Sequence, residues 1–235
     1  MAGASGVLGR RLVPLLLAAG HQVTGTTRVP ARGLELQAAG VTPAVVDVFD
    51  AAALRDAVLA ARPDVIVHQL TDLPRGLPPE RMAEAIGGNA RIRREGTANP
   101  VQAAVHARVS RIVAQSIAWA YAASPAPVTE DAPLDAAATG LRSVTVGGVV
   151  ALERLVTSTP ESAGLVLRYG RLYGPGTGTD APGEVPTVHV DAAASAAVQA
   201  LTRGAAGAYN VVDDGSPISN LKARRELAWD PAFRL

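Results

Sequence analysis

The amino-acid sequence predicts a doubly wound α/β fold, in which a parallel sheet carries helices on both faces. Three observations support this prediction. Gly3, Gly6 and Gly9 open the chain and run directly into an apolar, helix-like stretch. Short segments rich in Val and Ile then alternate with longer segments whose apolar residues have helical spacing. Finally, 48% of the 235 residues are apolar, which is enough for one sizeable core.

The predicted elements follow one another in this alternation. A helix follows the glycines, and we expect Pro14 to kink it locally without ending it, because its apolar face continues. Near the other end of the chain, Asp191 is interpreted as the N-cap of a helix that ends at Gly204. The predicted strands are 21–27, 41–49, 64–70, 111–116, 163–169, a short one from 187, and 208–212. The other predicted helices are 51–61, 79–109, 144–156 and 219–229.

Composition excludes several classes of function. The formal net charge of +1, without basic runs interleaved with aromatic residues, argues against nucleic-acid binding. The apolar run LVPLLLAAG is too short to cross a bilayer, so no membrane partner is expected. The sequence contains no cysteine, which excludes disulfides and thiolate chemistry and fits a cytoplasmic protein. No side chains have metal-ligand spacing, so no metal is expected.

The opening glycines have the spacing of a loop that cradles the phosphates of a dinucleotide. In such a loop Gly3 permits the tight turn, Gly6 permits the approach of the pyrophosphate, and Gly9 permits close packing of helix and strand. Free N–H groups at the start of the helix would hold the phosphates. The alternative is a chance cluster in an Ala- and Gly-rich chain. The residues assigned to this loop are Gly3, Ser5, Gly6, Val7, Leu8 and Gly9.

The end of the next predicted strand favours NADP over NAD. An acidic residue at this position would bind the adenosine ribose diol, but no carboxylate occurs from Gly20 to Leu34. Arg28 can pair with a 2′-phosphate, and Thr26 or Thr27 can hydrogen-bond to it. The alternative for Arg28 is a solvated surface charge, and NAD then remains the other cofactor to consider.

The chain divides into a larger and a smaller predicted domain. Residues 1–172 form the dinucleotide-binding, Rossmann-type domain. A Gly- and Pro-rich loop, 173–186, follows it. We expect residues 173–235 to form a small substrate lobe over the carboxyl edge of the sheet, where doubly wound folds bind their ligands.

Nine segments, in order, resemble one known family. They are GASGVLGR, VDVFD, VIVHQL, NARIRREGTANPVQAA, RIVAQSIAWAYA, GRLYGPG, TVHVDAAASAAVQAL, AYNVVDD and LAWDP. Together they resemble the NAD(P)-dependent epimerase/dehydratase family, the extended type of short-chain dehydrogenase/reductase. The likeness runs from residue 2 to about residue 231, and the order and spacing of the segments carry it.

The resemblance assigns further residues to the cofactor. It implies that Asp47 and Val48 contact the adenine. Leu70 and Thr71 match the segment that lies along the cofactor. Asn89 matches the asparagine in the helix behind the active site.

The resemblance also implies residues at the nicotinamide end. Residues 169–171, beginning with Tyr169, match the turn that passes the nicotinamide and faces the substrate. Arg171 is the candidate for binding an anionic or polar substrate group, against the alternative of a surface salt bridge. Ser116 lies where the family places its catalytic Ser or Thr, against the alternative of a strand-end cap. Tyr121 is the candidate proton donor, against the alternative of a half-buried pocket wall.

The resemblance further implies a strand of apolar residues just ahead of the glycine loop. Only Met1 and Ala2 precede the loop here, so we expect the first strand to be missing from the sequence given. A start site placed too late, or omitted residues, would explain this. A shortened but folded protein is the alternative.

When this sequence is aligned with the family, the main acid–base pair of the family is missing from it. Family members carry a tyrosine and, one helical turn later, a lysine that lowers the phenol pKa from about 10 towards neutrality. Alignment on Glu153 puts Thr145 and Val149 at these two positions. Lys222, the only lysine, lies near the end of the chain.

These observations leave three functional hypotheses open. The first is an NAD(P)-dependent oxidoreductase or epimerase/dehydratase-like enzyme that acts on a small carbonyl or hydroxyl compound without the Tyr/Lys pair. The second is a cofactor-binding sensor or interaction protein that has lost catalysis. The third is a non-redox cyclase or dehydratase that keeps the pocket. The resemblance also implies a homodimer formed through two helices.

Overall fold

Strands and helices alternate along the chain, as the sequence predicts. The computed structural model of the protein describes residues 1–74, 79–183 and 186–235. Two residues of the predicted loop 173–186, Glu184 and Val185, lie outside the described residues.

A parallel sheet forms the centre of the fold. One part of it has the order β2–β1, and the other has the order β3–β4–β5–β8. The short strands β6 and β7 pair separately, also in parallel. The strands are β1 (Thr24–Thr27), β2 (Thr42–Val45), β3 (Val65–His68), β4 (Arg111–Ile117), β5 (Ala163–Tyr169), β6 (Arg171–Tyr173), β7 (Thr187–His189) and β8 (Gly207–Val211).

Ala2 joins the two parts of the sheet. It forms parallel bridges with Thr26 on β1 and with His68 on β3. Its N–H donates to the carbonyl of Val67 over 2.8 Å, and its carbonyl accepts from the N–H of Gln69 over 2.9 Å. The residues ahead of the glycine loop therefore lie between β1 and β3, at the position of the strand that the resemblance implies.

The helices cover both faces of this sheet. They are α1 (Val7–Ala18), α2 (Pro30–Ala38), α3 (Ala51–Ala61), α4 (Pro79–His106), α5 (Gly140–Thr157), α6 (Val190–Gln199) and α7 (Leu221–Leu227). Neighbouring strand residues point to opposite faces: Val67 and Val113 pack with α1 and α6, whereas Ile66 and Ile112 pack with α4 and α5. Within the described ranges, no helix has both the length and the apolar composition that a bilayer span requires.

The bounds of α3 follow from local chemistry and agree with the prediction. The Asp50 carboxylate accepts a hydrogen bond from the N–H of Ala53 and caps the first turn. The helix ends at Ala61, and the C-cap residue Arg62 adopts a left-handed conformation with φ of 45°. The bounds of β5, Ala163–Tyr169, also coincide with the predicted strand.

Several elements differ from the sequence prediction, and three of them bear on the site. The helix α2 was not predicted, although Pro30 occupies its first turn, where proline is favoured. The helix α6 begins at Val190 and is capped by His189, whose Nδ1 accepts from the N–H of Asp191. Asp191 is therefore not the cap; its buried carboxylate pairs with Arg11 of α1. The predicted last strand is β8. It was expected to belong to the small lobe, but it pairs with β5 in the central sheet. The division of the chain at 172/173 stays a prediction.

Candidate functional site

The glycine loop is packed so tightly that two of its glycines have no room for a side chain. A Cβ on Gly3, whose φ is +86°, would lie 2.6 Å from the carbonyl oxygen of Gln69. A Cβ on Gly9 would lie 2.2 Å from the carbonyl oxygen of Gly3. Gly6 is less crowded, since its Cβ would meet only that same oxygen at 3.2 Å. The loop is thus held against the end of β3, while Gly6 leaves its outer side accessible.

The start of α1 offers backbone donors to a ligand. Gly6 occupies the N-cap position, and no side chain caps the helix. The first turn also contains no acidic residue. Val7 is 41% exposed, so this helix end faces open space rather than the core. Uncapped amides at a helix start attract phosphate, and the loop therefore fits the pyrophosphate of a dinucleotide.

Arg28 lies immediately after β1, the strand that pairs with Ala2 just ahead of this loop. Its side chain is exposed. Thr27 is buried, and its hydroxyl accepts from the N–H of Val29 over 3.2 Å. Thr26 is partly exposed. The hydroxyl of Thr27 is therefore used within the turn. This leaves Thr26 as the better candidate for a hydrogen bond to a 2′-phosphate.

The turn after β2 brings Asp47 and Val48 to the same edge of the sheet. Asp47 accepts a hydrogen bond from the N–H of Phe49 over 3.0 Å, which shapes the turn. The carbonyl of Val48 accepts from the side-chain amide of Asn99 on α4 over 2.8 Å. Both residues remain partly exposed, so their backbone and side chains can border a ligand.

The segment after β3 is held in place by α4. Leu70 is partly buried and Thr71 is exposed. Asn89, on α4, is buried, and its side-chain oxygen accepts from the N–H of Asp72 over 3.2 Å. The structure thus brings Asn89 together with the predicted cofactor segment, and the contact it makes there is with the protein backbone.

Tyr169 ends β5 with its side chain in the core. It is 1% exposed and packs in the cluster that contains residues of α1 and α6. Burial raises the pKa of its hydroxyl far above the usual value. Its side chain therefore supports the sheet from inside, and only its backbone lies at the turn that precedes Arg171.

The two predicted catalytic residues belong to one buried polar network. Ser116 is 1% exposed and donates a hydrogen bond to Oε1 of Glu153 over 2.7 Å. Arg168 of β5 donates to both carboxylate oxygens of Glu153, over 3.0 and 2.7 Å. Although burial disfavours its charge, the hydrogen bonds and charge of Glu153 raise the pKa of Arg168. The hydroxyl of Ser116 is engaged inside the protein, so its geometry favours a positioning role over contact with a substrate carbonyl.

Tyr121 is the outer member of the same network. Its hydroxyl donates to Oδ1 of Asn210 over 2.7 Å and accepts from Arg168 over 2.6 Å. Burial raises the pKa of Tyr121, and the neighbouring Arg168 only partly offsets this. A buried phenol with both hydrogen-bonding functions engaged favours the pocket-wall alternative, and the role of Tyr121 as a proton donor stays a prediction.

The positions aligned with the Tyr/Lys pair lie on α5. The hydroxyl of Thr145 donates back to the carbonyl of Leu141 over 3.3 Å. Val149 is fully buried in an apolar cluster with Ile117. Lys222 lies far along the chain, where its ammonium donates to the carbonyl of Ala208 over 2.8 Å.

Arg171 and Trp119 form a contact that the sequence did not indicate. The Arg171 guanidinium carbon lies 5.2 Å from the centre of the Trp119 ring. Trp119 follows β4 and Arg171 follows β5, so both lie at the carboxyl edge of adjacent strands. The two residues are far apart in the chain and share no motif. Only the pairing of β4 with β5 brings them together.

The described residues offer no metal site. Within 1–74, 79–183 and 186–235, no three His, Cys, Asp or Glu side chains form a group that could hold a metal ion. His68, which lies inside β3, shares a hydrogen bond of 2.9 Å with Thr97. Burial lowers the pKa of His68 to about 4, so it is neutral at physiological pH.

The parallel sheet and the tight glycine loop define a doubly wound α/β protein that binds a dinucleotide. Sequence comparison agrees with this class. The family described as NAD(P)H-binding matches residues 3–142. A 3-diazoavenalumate denitrifying reductase from a Streptomyces species is 44% identical over 238 residues, which cover 91% of this chain and 75% of the reductase.

Solved structures show the same fold. The UDP-glucose 4-epimerase of Thermotoga maritima superposes with a TM-score of 0.78 at 15% identity, over 99% of this chain and 93% of the epimerase. The UDP-glucose 4-epimerase of Thermus thermophilus, solved with NAD, gives 0.77 at 19% identity, over 100% and 94%. The chain belongs to the NAD(P)H-binding family, whose model matches more than half of its residues, and it shares the fold of these two epimerases. It is therefore an NAD(P)-binding protein.

Proposed function

We propose that the chain is an NADPH-dependent reductase whose reaction needs no proton from the protein, and that it replaces an aromatic diazonium group by hydrogen. The observation that carries this proposal is the lack of an available acid among the described residues predicted for catalysis. Ser116 and Tyr121 are engaged in a buried network, and Thr145 and Val149 stand where the resemblance expects Tyr and Lys.

The residues proposed to hold the cofactor surround the carboxyl edge of the sheet. The N–H groups of Val7 and Leu8 would bind the pyrophosphate, and Gly6 would let it approach. Asp47 and Val48 would border the adenine. The cofactor-binding set proposed is Gly3, Ser5, Gly6, Val7, Leu8, Gly9, Arg28, Asp47, Val48, Leu70, Thr71, Asn89 and Tyr169.

We expect Arg28→Ala to weaken NADPH binding about 10-fold and to leave NADH binding nearly unchanged. The reason is the loss of charge-assisted hydrogen bonds to the 2′-phosphate, which NADH lacks. Calorimetric titration with both coenzymes measures the difference. Arg32→Ala is the matched control, because Arg32 is also exposed and lies one helical turn away on α2. Equal loss of both coenzymes, or equal affinity in the unmodified protein, would contradict a contact between Arg28 and the 2′-phosphate.

The proposed reaction follows from what each reduction requires. Reduction of a carbonyl produces an alkoxide, so an enzyme must supply a proton in the same step. Reductive loss of a diazonium group produces no such charge, because nitrogen leaves as neutral N2. A site without a Tyr/Lys pair therefore suits the second reaction better than the first. The name of the Streptomyces relative, a denitrifying reductase of a diazo compound, independently suggests the same class.

The coenzyme and the substrate together supply all the atoms and electrons that the reaction requires. When bound, NADPH supplies a hydride, so that an arenediazonium cation and NADPH give the arene, N2 and NADP⁺. The new C–H bond takes its electron pair from the hydride, and the electron pair of the broken C–N bond leaves with N2. The residues of this chain then have three tasks: to bind the coenzyme, to orient the arene and to exclude water.

Isotope transfer tests this function. The unmodified protein is mixed with 4-carboxybenzenediazonium and with NADPH deuterated at nicotinamide C4, each epimer in turn. We expect protein-dependent N2 release and deuterium in the benzoate product with one epimer. With unlabelled NADPH in deuterium oxide, we expect no deuterium at that carbon. A reaction without protein corrects for the uncatalysed rate.

Two results would contradict the proposal. Deuterium taken from the solvent would mean that a proton, not a hydride, reaches the carbon. Tight NADPH binding without protein-dependent turnover would favour the sensor hypothesis instead.

A further inference from the structure

We propose that Arg171, held by Trp119, binds the carboxylate of a planar aromatic substrate. This inference rests on the proposed function, because it names the class of substrate that the reductase site takes. Four observations support it: the geometry of the pair, its place in the fold, the use made of a neighbouring arginine, and the chemistry of the two side chains.

The backbone of Arg171 is fixed by the strand in which it lies. Its N–H donates to the carbonyl of Pro186 over 2.8 Å. Gly170, just before it, has no room for a side chain, because a Cβ there would lie 2.5 Å from the carbonyl carbon of Thr187. The close contact of β6 with β7 therefore sets the position from which the Arg171 side chain extends.

The Arg171 side chain rests on Trp119 and remains exposed. The distance of 5.2 Å from guanidinium carbon to ring centre is that of a cation–π contact. In such a contact the guanidinium is attracted to the ring by its charge, and its N–H donors are not used in a hydrogen bond to a carbonyl or carboxylate. Within the described ranges, no hydrogen bond or ion pair of the Arg171 side chain to another residue is found.

A second arginine beside Trp119 is used differently. Arg142 donates to the carbonyls of Trp119 and Tyr121, over 3.3 and 2.9 Å, and pairs with Asp135. Its charge is therefore neutralised and its donors hold the chain segment that carries Trp119. Both arginines are exposed, but Arg142 uses its donors within the protein, whereas the Arg171 side chain has no such partner among the described residues.

These features define the chemistry of the ligand. A guanidinium with two parallel N–H groups matches a carboxylate in a bidentate pair. An indole that already packs against a flat cation offers its remaining surface to another flat group, such as an aromatic ring. Both groups lie at the edge where doubly wound folds bind ligands. An aromatic acid, reduced at a carbon of its own ring, satisfies all three conditions.

The test compares two unreactive ligands of the same shape, 2-naphthoate and 2-naphthamide. Each is titrated calorimetrically into the full chain saturated with NADP⁺. We expect the unmodified protein to bind the acid about 10-fold or more tightly than the amide. Arg171→Met should abolish this preference, and Trp119→Leu should weaken both ligands. Arg225→Met, which removes an exposed arginine on α7, is the control and should leave the preference unchanged.

Equal binding of acid and amide by the unmodified protein would overturn the inference, and so would a preference that survives Arg171→Met. Because neither naphthyl ligand reacts, this outcome is independent of the isotope experiment. A failed isotope transfer with a retained preference would contradict the proposed reaction and support acid recognition.

Discussion

Gly9→Ala is expected to lower the free energy of unfolding by about 3 kcal/mol or more, because the new methyl group has nowhere to go. Its Cβ would lie 2.2 Å from the carbonyl oxygen of Gly3 and 2.4 Å from that of Ala4. Both atoms belong to the backbone, so they cannot move without displacing the loop. Thermal and urea unfolding measure the effect, and coenzyme binding should be lost together with the fold of the loop.

Gly87→Ala is the matched control for this change. Gly87 lies inside α4, and nothing lies within 4 Å of the position that a Cβ would take there, so alanine should stabilise the helix by about 1 kcal/mol. If Gly9→Ala unfolds no more easily than Gly87→Ala, the tight packing of the glycine loop described above is wrong.

Glu153→Leu is expected to destabilise the protein by about 3–5 kcal/mol, because it leaves the charge of Arg168 buried and uncompensated. The two side chains, Arg168 and Glu153, are only 7% and 10% exposed, and they form a bidentate pair. The change also removes the acceptor for the Ser116 hydroxyl. Urea unfolding at neutral pH measures the loss.

Two further variants test whether the lost stability comes from breaking the buried pair or from removing any charged side chain. The double variant Glu153→Leu/Arg168→Met should recover part of the stability, because apolar side chains replace both members of the pair, although buried Arg93 also loses the favourable charge of Glu153. Glu95→Ala breaks an exposed pair with Arg91 and should change stability by about 0.5 kcal/mol at most. A Glu153→Leu effect as small as that of Glu95→Ala would mean that the buried network does not stabilise the fold.

Local patterns predicted the parts of the fold that depend on neighbours in sequence. The helix Ala51–Ala61 has a capping Asp50 and regular apolar spacing, and its predicted bounds are correct. The glycine loop was found because its function requires glycine at fixed spacing, and the structure shows that Gly3 and Gly9 admit no side chain. The family was recognised from the order of such local segments.

Features that depend on contacts across the sheet were not predictable in the same way. Successive residues of a strand point to opposite faces of the sheet. The sequence alone does not show whether Ser116 or the residue next to it faces the cofactor site. Arg168 gave a usable signal, because a charged residue inside an apolar strand requires a buried partner. Trp119 gave none, since its contact with Arg171 exists only after β4 and β5 pair.

Calorimetric titration of the folded protein with NADPH tests the central claim that the start of α1 binds a pyrophosphate. Gly6→Ala is the companion variant: its backbone, with φ of −76°, suits alanine, and its stability should change by about 1 kcal/mol at most. We expect the unmodified protein to bind NADPH and Gly6→Ala to bind it about 100-fold more weakly, because the methyl group keeps the phosphates from the amides. A folded protein that binds neither NADPH nor NADH, or a Gly6→Ala variant with unchanged affinity, would contradict the claim.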